Sequence, residues 1–329
     1  MSAFRIENED GIFVMTFDLP NESVNKINRE VFEELDEVLA RFESDASAKA
    51  GVLISGKRDN FIAGADVAEF ATFESAEQVD QMVRAGQKLF SRFANYEKPF
   101  VAAIDGACLG GGLEIALACA YRVATSNPKT MLGLPEVQLG IIPALGGCQR
   151  LPRLIGVRAA LDIILAGKVV PAKRAKRVGI VDELVHSAEL KEVALKTAQR
   201  LAVGWRPKRK GGGVAGLLLD HNRIGRSVVF RTARKQVLKK TGGHYPAPFA
   251  AMDAVRVGLN RGMKIGLQRE ARHFAELAIG QISRNLIQIF FATTALKKDL
   301  GTDSDGVELR PVSKVGIVGA GFMGAAIGG

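Results

Sequence analysis

Up to Ser187 the chain alternates short apolar runs with amphipathic stretches, and this rhythm restricts the fold more than any other feature. Residues 3–6 and 12–17 read as a hairpin turning at Asp10-Gly11. Val31, Phe32, Leu35, Val38, Leu39 and Phe42 fall at helical spacing behind Asn28, a fitting N-cap. There follow a strand over 51–55, a helix over 76–96 stopped by Pro99, and a buried strand over 100–104. A helix from Gly112, a strand over 122–124, helices across 158–177 and a strand over 180–184 continue the series. Such alternation predicts an α/β chain of mostly parallel strands joined by crossover helices. Beyond Ser187 the strand signals cease. Helices are predicted over 189–203, 249–259, 266–279 and 283–298, with a loop over 204–248 and a polar linker over 297–312.

Composition excludes several classes. Cys108, Cys119 and Cys148 have neither paired nor metal-ligand spacing, which suggests a reduced, cytoplasmic protein. His186, His221, His244 and His273 are scattered, so no metal is expected. The N-terminus has no signal-peptide core, and no apolar run reaches the ~20 residues of a membrane span. The net charge of +10 is concentrated in residues 173–177, 208–210 and 231–240. A solvated helix face and a basic loop account for it, and the loop 206–210 could draw in an anionic substrate. No aromatics interleave with these cations, which argues against a stacking platform for single-stranded nucleic acid.

Three stretches carry candidate chemistry: FIAGAD (61–66), GACLGGGLE (106–114) and LGLPEVQLGIIPALGGCQRLPRL (132–154). Gly110–112 permit close backbone approach where a helix opens, and their amides could hold an anion or oxyanion. Glu114 lies just inside that helix. Plain strand–helix packing explains the glycines equally well, with Glu114 merely favouring the dipole. In FIAGAD, small residues precede Asp66, which reads most simply as a cap. Glu136 follows Pro135 among Leu132, Leu134, Val137 and Leu139, where a carboxyl acquires a raised pKa suited to proton transfer. Alone, it could equally be an exposed loop acid.

Together these segments, in this order, resemble the enoyl-CoA hydratase/isomerase (crotonase) superfamily over about residues 5–190. The resemblance implies the crotonase fold, a spiral of ββα units, here followed by a helical extension. It implies an oxyanion hole from the Ala65 and Gly111 amides, and a CoA path along Ala63 and Gly64 beside Asp66 and Gly110. Glu114 would activate water and Glu136 would protonate C2 of an enoyl-CoA thioester, with no cofactor. Two retained glutamates favour hydratase over 3,2-trans-enoyl-CoA isomerase, the alternative activity. A non-catalytic scaffold binding RNA or a partner subunit is the reading outside catalysis. Ala144 and Leu145 stand where the family usually has Gly and then Ser or Ala, and Cys148 stands for Thr, which bears on the acyl tunnel.

The last residues, KVGIVGAGFMGAAIGG, read as a strand over 314–318 running into a G-x-G-x-x-G turn at Gly319, Gly321 and Gly324. This resembles the start of a 3-hydroxyacyl-CoA dehydrogenase domain. Hydratase, helical linker and NAD-binding dehydrogenase follow one another in the multifunctional α-subunit family of fatty acid β-oxidation. LGLPEVQLG and GLQREARHFAELA…FFATTALKKD resemble that family in particular. The implied organisation is a hydratase domain over 1–190, a helical extension and linker over 191–312, and a truncated Rossmann start over 313–329. The implied partners are an enoyl-CoA and a thioester-cleaving thiolase β subunit. An incomplete fingerprint is expected not to bind NAD, and its residues are expected to be disordered or parked against the linker.

Overall fold

The computed structural model describes residues 2–94, 97–207, 222–298, 312–319 and 321. β1 (Phe4–Glu9) and β2 (Ile12–Phe17) form the expected antiparallel hairpin. Its two turn residues, Asp10 and Gly11, have φ of 52° and 81°, as a tight primed turn demands. Asn28 caps α1 (Arg29–Ser44) by accepting the Val31 N–H at 2.9 Å.

A repeat follows. β3 (Ala50–Ser55), β4 (Asn60–Ile62) and α2 (Ala76–Ala94) form its first copy. β5 (Phe100–Ile104), β6 (Ala107–Leu109) and α3 (Gly111–Ala118) form the second, and β7 (Tyr121–Thr125), β8 (Met131–Gly133) and α4 (Gly147–Ile155) the third. In each copy the first strand joins a six-stranded sheet, ordered β1-β2-β3-β5-β7-β10, and the second joins a four-stranded sheet, ordered β4-β6-β8-β9. This is the spiral of ββα units. The remaining elements of the spiral are α5 (Val157–Ile164), β9 (Val169–Pro171), α6 (Ala172–Val178) and β10 (Glu183–Val185). β2 through β10 in the larger sheet pair in parallel, and β9 pairs antiparallel with β8.

The larger sheet is covered on both faces, which is why β2 and β5 are buried at every position. On one face Phe13, Phe42, Phe93 and Phe100 pack ring against ring. A Cβ on Gly51 would lie 2.2 Å from the Phe100 ring, so only glycine admits it. On the other face Ile12, Val14, Val52, Val101 and Val123 meet α7 (Leu190–Ala202) through Leu190, Ala194, Ala198 and Leu201.

One expectation fails here. The supposed loop 204–248 contains a helix, α8 (Arg223–Thr241), started by Asn222, whose side chain accepts the Gly225 N–H. Phe230 and Val237 are buried two turns apart on it. Residues 208–221, including the glycines 211–213 and the basic triplet 208–210, lie outside the described residues. The strand expected over 180–184 begins three residues late, as β10, with Ile180 and Val181 buried ahead of it.

α9 (Pro246–Arg261) and α10 (Met263–Ala278) form a close helical hairpin in which a Cβ on Gly266 would lie 2.7 Å from the Gly258 Cα. The hairpin packs on α2 and α4. α11 (Gln281–Lys298) starts by donating Ser283 Oγ–H to the Leu139 carbonyl at 2.9 Å. The chain through Gln288 is one compact unit, and Ile289 onward is a second. In the second unit Ile289, Phe290, Phe291 and Leu296 are exposed. The strand-like run 314–318 forms no strand: every residue of 312–319 is exposed, and no described strand supplies the pairing a lone segment needs. The expected linker residues 299–311 lie outside the described residues. No described helix is long and apolar enough to cross a membrane.

Candidate functional site

The Ala63–Asp66 corner is fixed by the preceding segment. Ala63 N–H donates to Asn25 O, Ile27 N–H to Gly64 O and Asp66 N–H to Ile27 O, each at 2.8 Å. Ile27 thus bridges Ala65 in parallel fashion, and strand alternation turns the Ala65 N–H to the opposite side. Asn25 anchors this arrangement: wholly buried, its side chain donates to Phe17 O and Phe61 O and accepts from Leu19 N–H. Asp66 caps the 3₁₀ turn Val67–Thr72 through the Ala68 N–H at 3.1 Å and pairs with Lys26 at 2.8 Å.

β6 runs beside β4 and ends in the glycines that open α3. Gly110 has φ 52° and ψ −125°, a conformation closed to other residues without strain. A Cβ on Gly112 would lie 2.4 Å from the Ile62 carbonyl oxygen, so glycine alone lets α3 begin against β4. The same construction on Gly111 ends 4.0 Å from the Ala65 nitrogen, which brings the start of α3 close to the Ala63–Asp66 corner. Gly111 opens its helix and has no acceptor within it. Among the described residues neither its N–H nor that of Ala65 meets a backbone carbonyl.

Glu114, in the first turn of α3, is buried, and one carboxylate oxygen accepts the Leu145 and Gly147 N–H groups, both at 2.7 Å. Burial pushes its pKa up to about 7, against the pull of those two amides and of the Arg150 charge. Glu136 begins the 3₁₀ turn Glu136–Leu139 after β8. Both its oxygens are buried without a hydrogen-bond partner among the described residues. Burial, reinforced by the Glu114 charge, raises its pKa well above the usual carboxylate range. A Cβ on Gly110 would lie 3.3 Å from Glu136 Oε1 and 3.7 Å from Gly64 Cα. The fold therefore gathers Gly64, Ala65, Gly110, Gly111, Glu114 and Glu136 from three separated motifs.

Several members of the site were not singled out from sequence. The turn from Pro143 to Gly147 supplies the amides on Glu114, and Arg150 clamps it by donating to Leu145 O at 2.7 Å. Gln87 donates to Ala144 O at 2.7 Å from α2. The doubled glycine before an arginine in ALGGCQR was the available signal. Leu145 reaches over Gly111, 3.9 Å from that position's would-be Cβ, so this departure from the family pattern lies at the proposed oxyanion corner. Cys148 is buried with its thiol pushed well up by burial, which makes it a packing residue.

A cavity of about 1030 Å³ between α5 and α8, lined by Leu161, Leu165, Val229 and Val237 among others, touches none of these residues. Among the described residues no cluster of His, Cys, Asp or Glu could hold a metal. Gly319 has φ 101° and open space around it, and Gly321 is likewise open, while Gly324 lies outside the described residues. No described strand directly precedes Gly319 and Gly321.

The family profile described as enoyl-CoA hydratase/isomerase matches residues 7–207. The fatty acid oxidation complex subunit alpha of Shewanella halifaxensis is 45% identical over 321 residues, which is 97% of this chain and 44% of that protein. Its namesake from Shewanella frigidimarina is 44% identical over 319 residues, with the same coverages. The chain thus spans a little under half the length of these relatives. Among solved structures, human mitochondrial delta3-delta2-enoyl-CoA isomerase superposes with a TM-score of 0.64 at 26% identity, covering 91% of this chain and all of that one. An enoyl-CoA hydratase from Bacillus anthracis gives 0.58 at 26% identity, covering 89% and 97%.

Proposed function

The chain belongs to the enoyl-CoA hydratase/isomerase family, and on that premise we propose that it hydrates 2-trans-enoyl-CoA to 3-hydroxyacyl-CoA in fatty acid β-oxidation. The thioester oxygen lies between the Ala65 and Gly111 amides, with the CoA arm passing Ala63, Gly64, Asp66 and Gly110. Charge develops on that oxygen as water attacks C3, and each preorganised donor lowers the barrier by about 3 kcal/mol. Glu114 takes a proton from the attacking water. Glu136 delivers a proton to C2 as the enolate collapses. Water is added, and the two carboxyls exchange protonation states.

One observation carries this assignment: two neighbouring buried carboxyls have opposite surroundings. Glu114 receives two amide hydrogen bonds and faces Arg150, which favour its anion, whereas Glu136 has no donor and faces Glu114, which favours its neutral acid. Near neutral pH such a pair supplies a base and an acid at once. An isomerase needs one group to shuttle a proton between C4 and C2, and Glu136 alone would serve. Loss of enoyl thioester absorbance with short, medium and long 2-enoyl-CoAs, against conversion of a 3-enoyl-CoA, tests the choice. Hydration absent at every chain length, with isomerisation present, overturns it.

By likeness to the longer relatives, the hydratase chemistry sits in residues 1–190 and the extension to residue 312 leads into an NAD-dependent dehydrogenase, with a thiolase β subunit as partner. A cytoplasmic location fits three buried free cysteines.

A further inference from the structure

One of the two amides on Glu114 is supported from behind. Ala144 O and Leu145 N–H are opposite ends of a single planar peptide group. Leu145 N–H donates to Glu114 Oε1 at 2.7 Å, and at the other end Gln87 Nε2 donates to Ala144 O, also at 2.7 Å. Among the described residues that carbonyl accepts from Gln87 alone. Because the group is planar, fixing its oxygen also fixes the direction of its N–H. The bonds run in series from the Gln87 amide through the peptide to the carboxylate, and each polarises the next.

Gln87 is itself held. It is buried on α2, and its Nε2 also donates to Leu267 O of α10 at 2.8 Å. The residue before it, Gly86, lies against the same turn: a Cβ there would lie 2.8 Å from Leu145 Cδ2. Thus α2 meets the turn at two successive residues, one taking the Ala144 carbonyl and the other facing the Leu145 side chain.

We propose that Gln87 is a positioning residue for Glu114, aiming the Leu145 N–H at the carboxylate through the peptide that joins Ala144 to Leu145. The inference rests on the hydratase reading above. A tie between α2 and the helical hairpin needs only the bond to Leu267 O. An apolar side chain of the same length would fill the space, but it would leave the Ala144 carbonyl unpaired and its peptide free to turn.

The experiment compares the wild-type 329-residue chain with Gln87→Met and Arg153→Met, reading kcat, KM, the pH profile of kcat/KM on crotonyl-CoA, and the melting temperature. Met matches Gln in length and donates no hydrogen bond. Arg153 ties α4 to the hairpin by donating to Gly258 O at 2.7 Å and makes no bond to Glu114 or to Ala144, so its loss reports looser packing alone. The charged and titratable groups around Glu114 are Glu136, Arg150, Glu270 and the Cys148 thiol, and all four remain in both variants. Gln87→Met is expected to lose kcat by about tenfold with KM nearly constant. Its acid limb should move up by about one unit, because a poorly aimed N–H stabilises the Glu114 anion less. Both variants should fold and melt below wild type, and Arg153→Met should keep the wild-type kcat and limb. Unchanged kcat and limb in Gln87→Met overturn the inference, as does an Arg153→Met whose limb moves equally far. A Gln87→Met that does not fold overturns it too, since the residue would then brace the whole domain rather than aim one amide. Absence of wild-type hydration overturns the hydratase reading and this inference together, whereas wild-type hydration with an unaltered Gln87→Met overturns the inference alone.

Discussion

Replacing Glu114 with Gln should abolish turnover and stabilise the protein, and the two effects have one cause. Gln can still accept the Leu145 and Gly147 amides through its carbonyl oxygen, so the turn keeps its shape. It can take no proton, and kcat should fall by about 10²–10⁴-fold, or about 3–5 kcal/mol of barrier. In the folded wild type Glu114 keeps its proton up to about pH 7, against an ordinary value of 4.5. Between those values the folded state binds more protons than the unfolded one, so wild-type stability falls as pH rises through the window and is flat above it. The net shift already includes the two amides and Arg150. At about 1.36 kcal/mol per unit it sets the cost of ionising Glu114 at about 3 kcal/mol. Glu114→Gln should therefore match wild type near pH 4.5 and exceed it by about 3 kcal/mol at pH 8. Urea unfolding at both pH values, beside hydration of crotonyl-CoA, measures both arms. A variant that hydrates normally, or a stability difference that does not grow with pH, refutes the reasoning.

In the wild type kcat/KM should rise with pH through about 7 as Glu114 ionises, and a profile flat from pH 5.5 to 8 would remove it as the base. Gly110→Ala places a Cβ 3.3 Å from Glu136 Oε1 at φ 52°, and should cost about 1–3 kcal/mol of stability together with most of the turnover; calorimetry and the hydration assay read both. Arg122 is 1% exposed, pairs with Asp182 and donates to Ile180 O and Cys119 O, so Arg122→Met should destabilise by about 3–5 kcal/mol while KM of the surviving enzyme holds; a melting temperature within a degree of wild type contradicts this.

Which elements the sequence disclosed follows from how local their causes are. The hairpin, α1 and β5 each state themselves in contiguous residues: a turn pair, a cap with a helical stripe, and an unbroken apolar run. The four strands of the smaller sheet, β4, β6, β8 and β9, have three residues each, too few for any period to register. They are strands because neighbours far along the chain pair with them. α8 hides for another reason. Seven of its nineteen residues are Arg or Lys, none is acidic, and Phe230 and Val237 are its buried apolar pair, so its stripe is narrow and its charge reads as a loop. The supposed strand over 314–318 errs the other way: its apolar run is strand-like, yet no partner strand is described.

At the site, the glycines were legible because close backbone approach requires them, and the two glutamates because their segments together resemble one family. What separates the two glutamates was not. Their intrinsic chemistry is the same, and the amides that favour the anion of one arrive from 31 and 33 residues downstream. Those amides belong to a turn clamped by Arg150 from α4 and Gln87 from α2, and Gln87 in turn donates to Leu267 O of the helical hairpin at 2.8 Å. The proposed acid/base difference therefore resides in the turn rather than in the carboxyls, and of the groups that hold the turn Gln87 is itself tied to a helical hairpin beyond the residues 7–207 that the family profile matches. Ala144, Leu145 and Cys148, the departures from the family pattern, all fall in this turn or beside it. Leu145 contributes its amide to Glu114 and its side chain to the Gly111 corner, so substitutions there act on base strength and on the acyl path together, whereas Cys148, buried and hydrogen-bonded to Pro143 O, acts on packing alone.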